Sequence, residues 1–191
     1  MVKEPRPGRV KTRLAQDVGA IEATRWFRHQ LRQVLRRLRD PRWQIILAVA
    51  PDAAGQTSRM WPADLARFPQ GRGDLGVRMR RALNGVAGPV CLIGGDIPAV
   101  EPAHIARAFR ALRSSDVVFG PAEDGGFWLV GRSARQRLAP CAFAGVTWST
   151  STTLTQSQHS LRGLRVAHVD LLWDVDTGAD LQRARDLSIV A

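Results

Sequence analysis

Apolar positions follow two different rhythms along this chain. Residues 20–39 carry Ile21, Phe27, Leu31, Val34, Leu35 and Leu38 at helical spacing with arginines opposite, which predicts an amphipathic helix. Other runs are continuous and of strand length: Trp43–Ala50, Pro89–Gly94, Asp116–Gly120 and Phe127–Val130. Unbroken apolar runs suit strands buried on both faces, as in parallel sheets. Further helices are expected over 77–86, 102–112, 150–160 and from Gly178, with a short strand at 165–169. Gln70–Gly76 reads as a glycine-rich loop, and residues 66–70 before it are short, charged and broken by proline, unlike a buried strand. Strands separated by helices on this spacing predict a single-domain α/β protein, a three-layer α/β/α sandwich around a mostly parallel sheet. No repeat, linker or low-complexity segment divides residues 1–191. Ligands of such sheets bind at the carboxyl ends of the strands, so residues just after strands carry the most information.

Composition narrows the picture in a few places. The charge of +11 is nearly all arginine, and six of the arginines (Arg25, Arg28, Arg32, Arg36, Arg37 and Arg39) fall on the 20–39 helix as a solvated face. No basic stretch is interleaved with aromatics, so nucleic-acid binding is not expected. The lysines are Lys3 and Lys11 alone, which makes a lysine at position 11, between Arg9 and Arg13, stand out. Cys91 and Cys141 belong to no CxxC pair and read as reduced thiols. The longest apolar run is far too short for a bilayer, and the charged, proline-rich start has no signal-peptide pattern, so a cytoplasmic protein is expected.

Three places can carry chemistry. Arg9, Lys11 and Arg13 lie where a loop stiffened by Pro5, Pro7 and Gly8 feeds a helix, so cationic side chains and free N–H groups can converge on an anion. The alternative is an exposed basic arm. Asp96 follows a buried strand and suits a hard divalent cation, although a turn aspartate explains it equally. In Asp174-Val175-Asp176-Thr177, alternation across Val175 would set both carboxylates on one side, against a reading in which Thr177 and Asp180 form a helix capping box and Asp176 is a cap. Gly71-Arg72-Gly73-Asp74-Leu75-Gly76 matches a dinucleotide fingerprint but lacks a buried strand before it. Asp124-Gly125-Gly126 between two strands is a hairpin turn whose glycines would also admit a substrate close to the backbone. The four histidines have no metal-ligand spacing, and no serine sits in a nucleophile elbow. Phosphate binding with a hard metal remains.

In order, the blocks KEPRPGRVKTRL (3–14), QGRGDLGVRM (70–79), LIGGDIP (92–98), GPAEDGGFWLVG (120–131), TWST (147–150) and DVDTGADL (174–181) resemble the radical-SAM/selenodomain-associated transferases. These belong to the GT-A-like nucleotide-diphospho-sugar transferase superfamily. The Lys11-Thr12-Arg13-Leu14 loop is also similar to that of phospholactate guanylyltransferases. The resemblance implies that Pro7, Gly8, Arg9, Lys11 and Arg13 meet nucleotide phosphates, and that Gln70, Gly73 and Asp74 shape the nucleotide side. It implies Asp96 and Asp124 as catalytic carboxylates, with Asp96, Asp174 and Asp176 holding Mg²⁺ or Mn²⁺. Gly125, Gly126, Phe127 and Trp148 would line the acceptor side. Phe127 stands where a tyrosine is common, Gly178 where proline is usual, and only Met1-Val2 precede Lys3, so the first strand is expected to be cut short.

The expected activity is glycosyl transfer from a nucleotide-diphospho-sugar. The alternatives are nucleotidyl transfer from a nucleoside triphosphate to a phosphorylated acceptor, and a catalytically silent nucleotide sensor. The partner in each case is a small nucleotide, without membrane insertion, and a second copy of the chain would be a natural cover for a shortened sheet.

Overall fold

In the computed structural model, which describes residues 1–187, the apolar runs become strands within a few residues of their expected ends. The chain opens with β1 (Val2–Lys3), then α1 (Thr12–Val18) and α2 (Ala20–Arg37). β2 (Ile46–Ala50), α3 (Asp52–Thr57), β3 (Ala66–Pro69) and α4 (Leu75–Asn84) follow. Next come β4 (Val90–Ile93), α5 (Pro102–Ala111), β5 (Val117–Pro121) and β6 (Phe127–Arg132). α6 (Thr153–His159), β7 (Val166–His168) and α7 (Gly178–Asp186) complete it. Contacts group these residues into two compact units: Val2–Pro69 with Gly95–Pro102 and the stretch from Trp173, and Met1 with Gln70–Gly94 and Ala103–Leu172.

The first of these units is built on an all-parallel sheet ordered β1-β2-β3. The two-residue first strand pairs with the second: Val2 lies opposite Val49 and Lys3 opposite Ala50. Val2 joins Phe27, Leu31, Leu47, Val49 and Trp61 in one core cluster, so two residues suffice to bury the helix face above them. Ile21 departs from the expected helical face and is 67% exposed, because 3.6 residues per turn point it to the side of the face that Phe27, Leu31 and Val34 bury. β3 is a strand although its sequence is short, charged and ends in proline. It sits at the sheet edge, half-exposed, and the Arg67 guanidinium donates to the carbonyls of Ser58, Trp61 and Pro62, which is how a charged, proline-containing segment can pair there.

The chain after β4 is fastened to α2 at two levels. A Cβ on Gly95 would lie 2.2 Å from Leu31 Cδ2, so this position needs glycine for the close approach. Arg37 Nη1 donates to Pro98 O (2.5 Å) and Val100 O (3.0 Å). A second cluster joins Leu14, Ala23, Trp173, Val175, Leu181 and Ala184, tying α1 and α7 to α2. α7 starts with the capping box expected of Thr177 and Asp180, each side chain accepting from the other's backbone N–H.

The other unit contains a sheet ordered β4-β6-β5-β7. Here the mostly parallel expectation gives way: β6 runs antiparallel to both β4 and β5, and β5 is parallel to β7. The reason is local, since β5 and β6 are joined by a turn too short for a crossover. Leu83, Phe119, Val130, Phe143 and Leu161 lie at the centre of its core. Among the described residues, no helix is long and apolar enough to cross a membrane. Cys91 and Cys141 are free thiols, and burial pushes the Cys91 thiol up to about 12.

Candidate metal-binding site

Within the first unit, three separate stretches of chain deliver charged groups to one place. The proline- and glycine-rich loop continues the β1 pairing by one bond, Glu4 N–H to Ala50 O (2.8 Å), then turns through Arg9 N–H to Arg6 O (3.0 Å). It ends at Lys11, the N-cap of α1, whose backbone is left-handed at φ 47, ψ 49. A non-glycine residue in that region costs about 1 kcal/mol or more, so the surrounding contacts must hold it. Those contacts are ionic. Lys11 Nζ donates to Asp96 Oδ2 (2.7 Å) and to Asp176 Oδ1 (2.6 Å), and Arg13 Nη1 donates to Asp176 Oδ2 (3.1 Å).

The two acidic stretches are laced together by Val175 N–H donating to Asp96 O (3.3 Å). Val175 itself is fully buried beside Leu14 and Trp173, so the alternation turns Asp174 and Asp176 the other way. Asp176 is therefore a partner of cations and not a helix cap. Asp96, Asp174 and Asp176 each offer an oxygen within 4.8 Å of the others. Six-coordinate Mg²⁺ or Mn²⁺ holds oxygens about 2.1 Å away, hence up to roughly 4.2 Å apart across the ion, so this spread suits one hard cation after a small closure. The donor set, all carboxylate oxygen, has the same preference. The Lys11 ammonium bridging two of the carboxylates shows that the place already accommodates a positive charge.

Electrostatics at the cluster are set by competition. Burial disfavours the charged form of Lys11, but the Asp96 and Asp176 carboxylates outweigh it and raise the lysine above its ordinary value. Burial likewise opposes ionisation of Asp96, and the charge and hydrogen bond of Lys11 overcome it, holding the carboxyl below its usual range. Asp180 is also held low: burial acts upward, and the Thr177 hydroxyl and backbone N–H groups pull further down.

Other expected site residues have local partners. Pro7, Gly8 and Arg9 are exposed on the loop leading to Lys11. In the second unit, Gln70 is buried and accepts from Arg78 Nη1 at Oε1 (3.2 Å) and from Arg81 Nη1 at its carbonyl (2.6 Å). Gly73 has φ 112, and Asp74 is the N-cap of α4, accepting from Val77 N–H at 2.8 Å. Locally, then, the glycine-rich stretch forms a turn and the cap of α4.

Asp124 accepts from Gly126 N–H (2.8 Å) in a turn that bears on residues 147–153. Phe127 packs edge-on against Phe119 (4.9 Å) and Trp148 (6.5 Å). The Thr153 hydroxyl, bonded to Thr147 O (2.9 Å), and the Gln156 amide oxygen, accepting from Thr147 N–H (2.7 Å), brace this segment. Those two residues escaped the sequence reading, although the run of hydroxyls from Thr147 to Thr153 was a visible signal. A Cβ at Gly125, where φ is 83, would lie 2.2 Å from Ser151 O. Gly125→Ala is expected to destabilise the protein by about 2–4 kcal/mol through strain and clash together, measurable by denaturant unfolding. A loss under about 0.5 kcal/mol would mean that the turn can move away freely.

The sequence profile of DUF2064, described as an uncharacterized protein conserved in bacteria, matches residues 32–150. Among solved structures, one from Desulfovibrio desulfuricans G20, provisionally described as a nucleotide-diphospho-sugar transferase, is 29% identical with a TM-score of 0.74. That match covers 92% of this chain and 80% of the other. A homologue of Mycobacterium tuberculosis Rv0371c from Mycobacterium sp. strain JC1 shares the fold at 16% identity and a TM-score of 0.53, covering 85% of this chain and 82% of that one. The Rv0371c protein of M. tuberculosis H37Rv, solved as a manganese complex, shares it at 22% identity and a TM-score of 0.51, covering 82% and 84%. No curated protein matches the chain.

Proposed function

We propose, starting from the fact that this chain belongs to the DUF2064 family, that it is a metal-dependent transferase acting on a nucleotide-diphospho-sugar. The observation that carries the reading is the cluster of Asp96, Asp174 and Asp176 with Lys11 and Arg13 in one place. Carboxylates that can hold a divalent ion beside a lysine and an arginine match the needs of a diphosphate leaving group. The D. desulfuricans relative, similar over 92% of this chain, supports the same substrate class. The manganese complex of Rv0371c is consistent with Mn²⁺ as the ion, with Mg²⁺ as its alternative.

In this reading Asp96, Asp174 and Asp176 supply the metal's protein ligands, and a bound ion would neutralise charge developing on the leaving diphosphate. Lys11 and Arg13 bind phosphate oxygens, and Pro7, Gly8 and Arg9 set the path of the loop that presents them. Gln70, Gly73 and Asp74 act on the nucleotide side by fixing the start of α4. Asp124, Gly125, Gly126, Phe127 and Trp148 serve the acceptor, Asp124 as a candidate catalytic carboxylate. A cytoplasmic location and a relation to the radical-SAM/selenodomain-associated transferases belong to this proposal too.

Nucleotidyl transfer is the second reading, favoured by the Lys11-Thr12-Arg13-Leu14 loop and its similarity to phospholactate guanylyltransferases. The products separate the two. The protein is incubated with Mn²⁺ and panels of nucleotide sugars and nucleoside triphosphates, water serving as a slow surrogate acceptor, and the phosphorus products are separated and quantified by ion-exchange chromatography. Nucleoside diphosphate from one nucleotide sugar is the expected result. Pyrophosphate from a triphosphate supports the second reading, and binding without either product supports a nucleotide sensor.

A further inference from the structure

Lys11 has two claims on it, and they conflict. As a phosphate ligand its ammonium should face an incoming nucleotide. In this structure it is instead spent on the carboxylates, with its side chain only 6% exposed and Nζ at 2.7 Å from Asp96 Oδ2 and 2.6 Å from Asp176 Oδ1. These oxygens belong to two of the three carboxylates that converge within 4.8 Å. A divalent ion bound to the same oxygens at about 2.1 Å would take the lone pairs that Lys11 now uses and set a second positive charge against it at close range. Both cations cannot keep the position.

We propose that Lys11 is a tethered cation that holds the metal position closed in the free protein, and that a divalent ion binds by displacing it. The proposal rests on the metal-binding reading above and adds an exchange to it: the ion enters as the ammonium leaves, and the freed lysine becomes available to an anion. The backbone is consistent with a poised element. Lys11 is the left-handed residue at the junction of loop and α1, a conformation that needs outside contacts to hold it. Arg13 differs from Lys11 in this respect. Its side chain is 58% exposed and reaches only Asp176 Oδ2, at 3.1 Å, so it neutralises the cluster from the rim without occupying the position.

The sequence permits a direct test on the wild-type protein, because Lys3 and Lys11 are its only lysines and Lys3 is exposed. Brief acetylation with limiting acetic anhydride, quantified by mass spectrometry, reads the accessibility of Lys11 against Lys3 as an internal standard. Saturating Mn²⁺ is expected to raise Lys11 labelling several-fold while leaving Lys3 unchanged. Unchanged or reduced Lys11 labelling at saturation overturns the proposal.

A titration of Mn²⁺ alone gives a second readout. Lys11→Met removes the resident cation at nearly the same side-chain length, and Mn²⁺ should bind it about tenfold more tightly than wild type, since the closed state no longer competes. Arg13→Met is the charge control, with a change below about threefold expected of an exposed pair. An affinity for Lys11→Met no higher than for Arg13→Met also overturns the proposal. Absence of Mn²⁺ binding by every form would instead remove the metal-binding reading itself, a different failure from that of the exchange.

Discussion

Arg132→Met is expected to lower the unfolding free energy by about 3–5 kcal/mol, and the melting temperature by roughly 6–20 °C. The guanidinium is buried, with the residue 6% exposed, and its bonds run to carbonyls. Nε donates to Leu83 O (2.6 Å), Nη2 to Val86 O (2.5 Å), and Nη1 to Gly88 O (3.1 Å), Ser133 O (3.0 Å) and Gln136 O (3.3 Å). It thus collects the carbonyls at the end of α4 and in the chain just beyond β6. Burial lowers the guanidinium pKa, and the neighbouring charge of Arg137 adds to this, which shows how little the surroundings offer besides those carbonyls. Methionine fills much of the volume and satisfies none of them. Lysine should recover less than half of the loss, because its three donors on a point charge cannot span five acceptors. Guanidinium chloride unfolding of the three proteins measures this, and a loss below about 1 kcal/mol for Arg132→Met would show that water replaces the guanidinium freely.

Asp96→Asn carries the largest expected functional effect. The substitution keeps the shape of the side chain and removes one of three charged donors, so Mn²⁺ affinity should fall about 100-fold or more. It also takes away the carboxylate that, with Asp176, holds the Lys11 ammonium. Unfolding of the metal-free variant should nevertheless stay closer to wild type than that of Arg132→Met, because Lys11 keeps Asp176 and the site lies beside solvent. Titration calorimetry with Mn²⁺ checks it. An affinity within about threefold of wild type would remove Asp96 from the ligand set.

The sequence made some of this architecture legible for identifiable reasons. β2, β5 and β6 coincide with apolar runs because each has a buried stretch that needs one, and β4 does so while only half-buried. β3 escaped because an edge strand can tolerate Arg67 and Pro69, whose side chains would be excluded from a sheet interior. α3 has 6 residues and no apolar period to mark it, and a Cβ on Gly55 would come 2.8 Å from Val49 Cβ, so glycine there serves close helix-to-strand packing. Ile21 lies off the buried face of α2, which apolar character alone does not reveal.

The acidic cluster was readable in part. Asp96 follows from the rule that strand ends carry ligands, and the pairing of Asp174 with Asp176 follows from Val175 pointing inward. The position of Lys11 on those carboxylates was not readable. Its partners lie 85 and 165 residues away, and local pattern says nothing about such a contact. The glycine-rich 70–76 stretch, which matches a dinucleotide fingerprint without the buried strand that fingerprint needs, forms a turn and the cap of α4.

The central claim, that Asp96, Asp174 and Asp176 hold one divalent ion for a nucleotide diphosphate, meets its most direct test in a Mn²⁺ titration followed by electron paramagnetic resonance. The wild-type protein is titrated alone and then with each of a panel of nucleoside diphosphates. The account predicts one Mn²⁺ per chain, bound more tightly in the presence of one diphosphate than in its absence. Mn²⁺ bound no more in either condition than in matched protein-free solutions, with a folded protein, would contradict it.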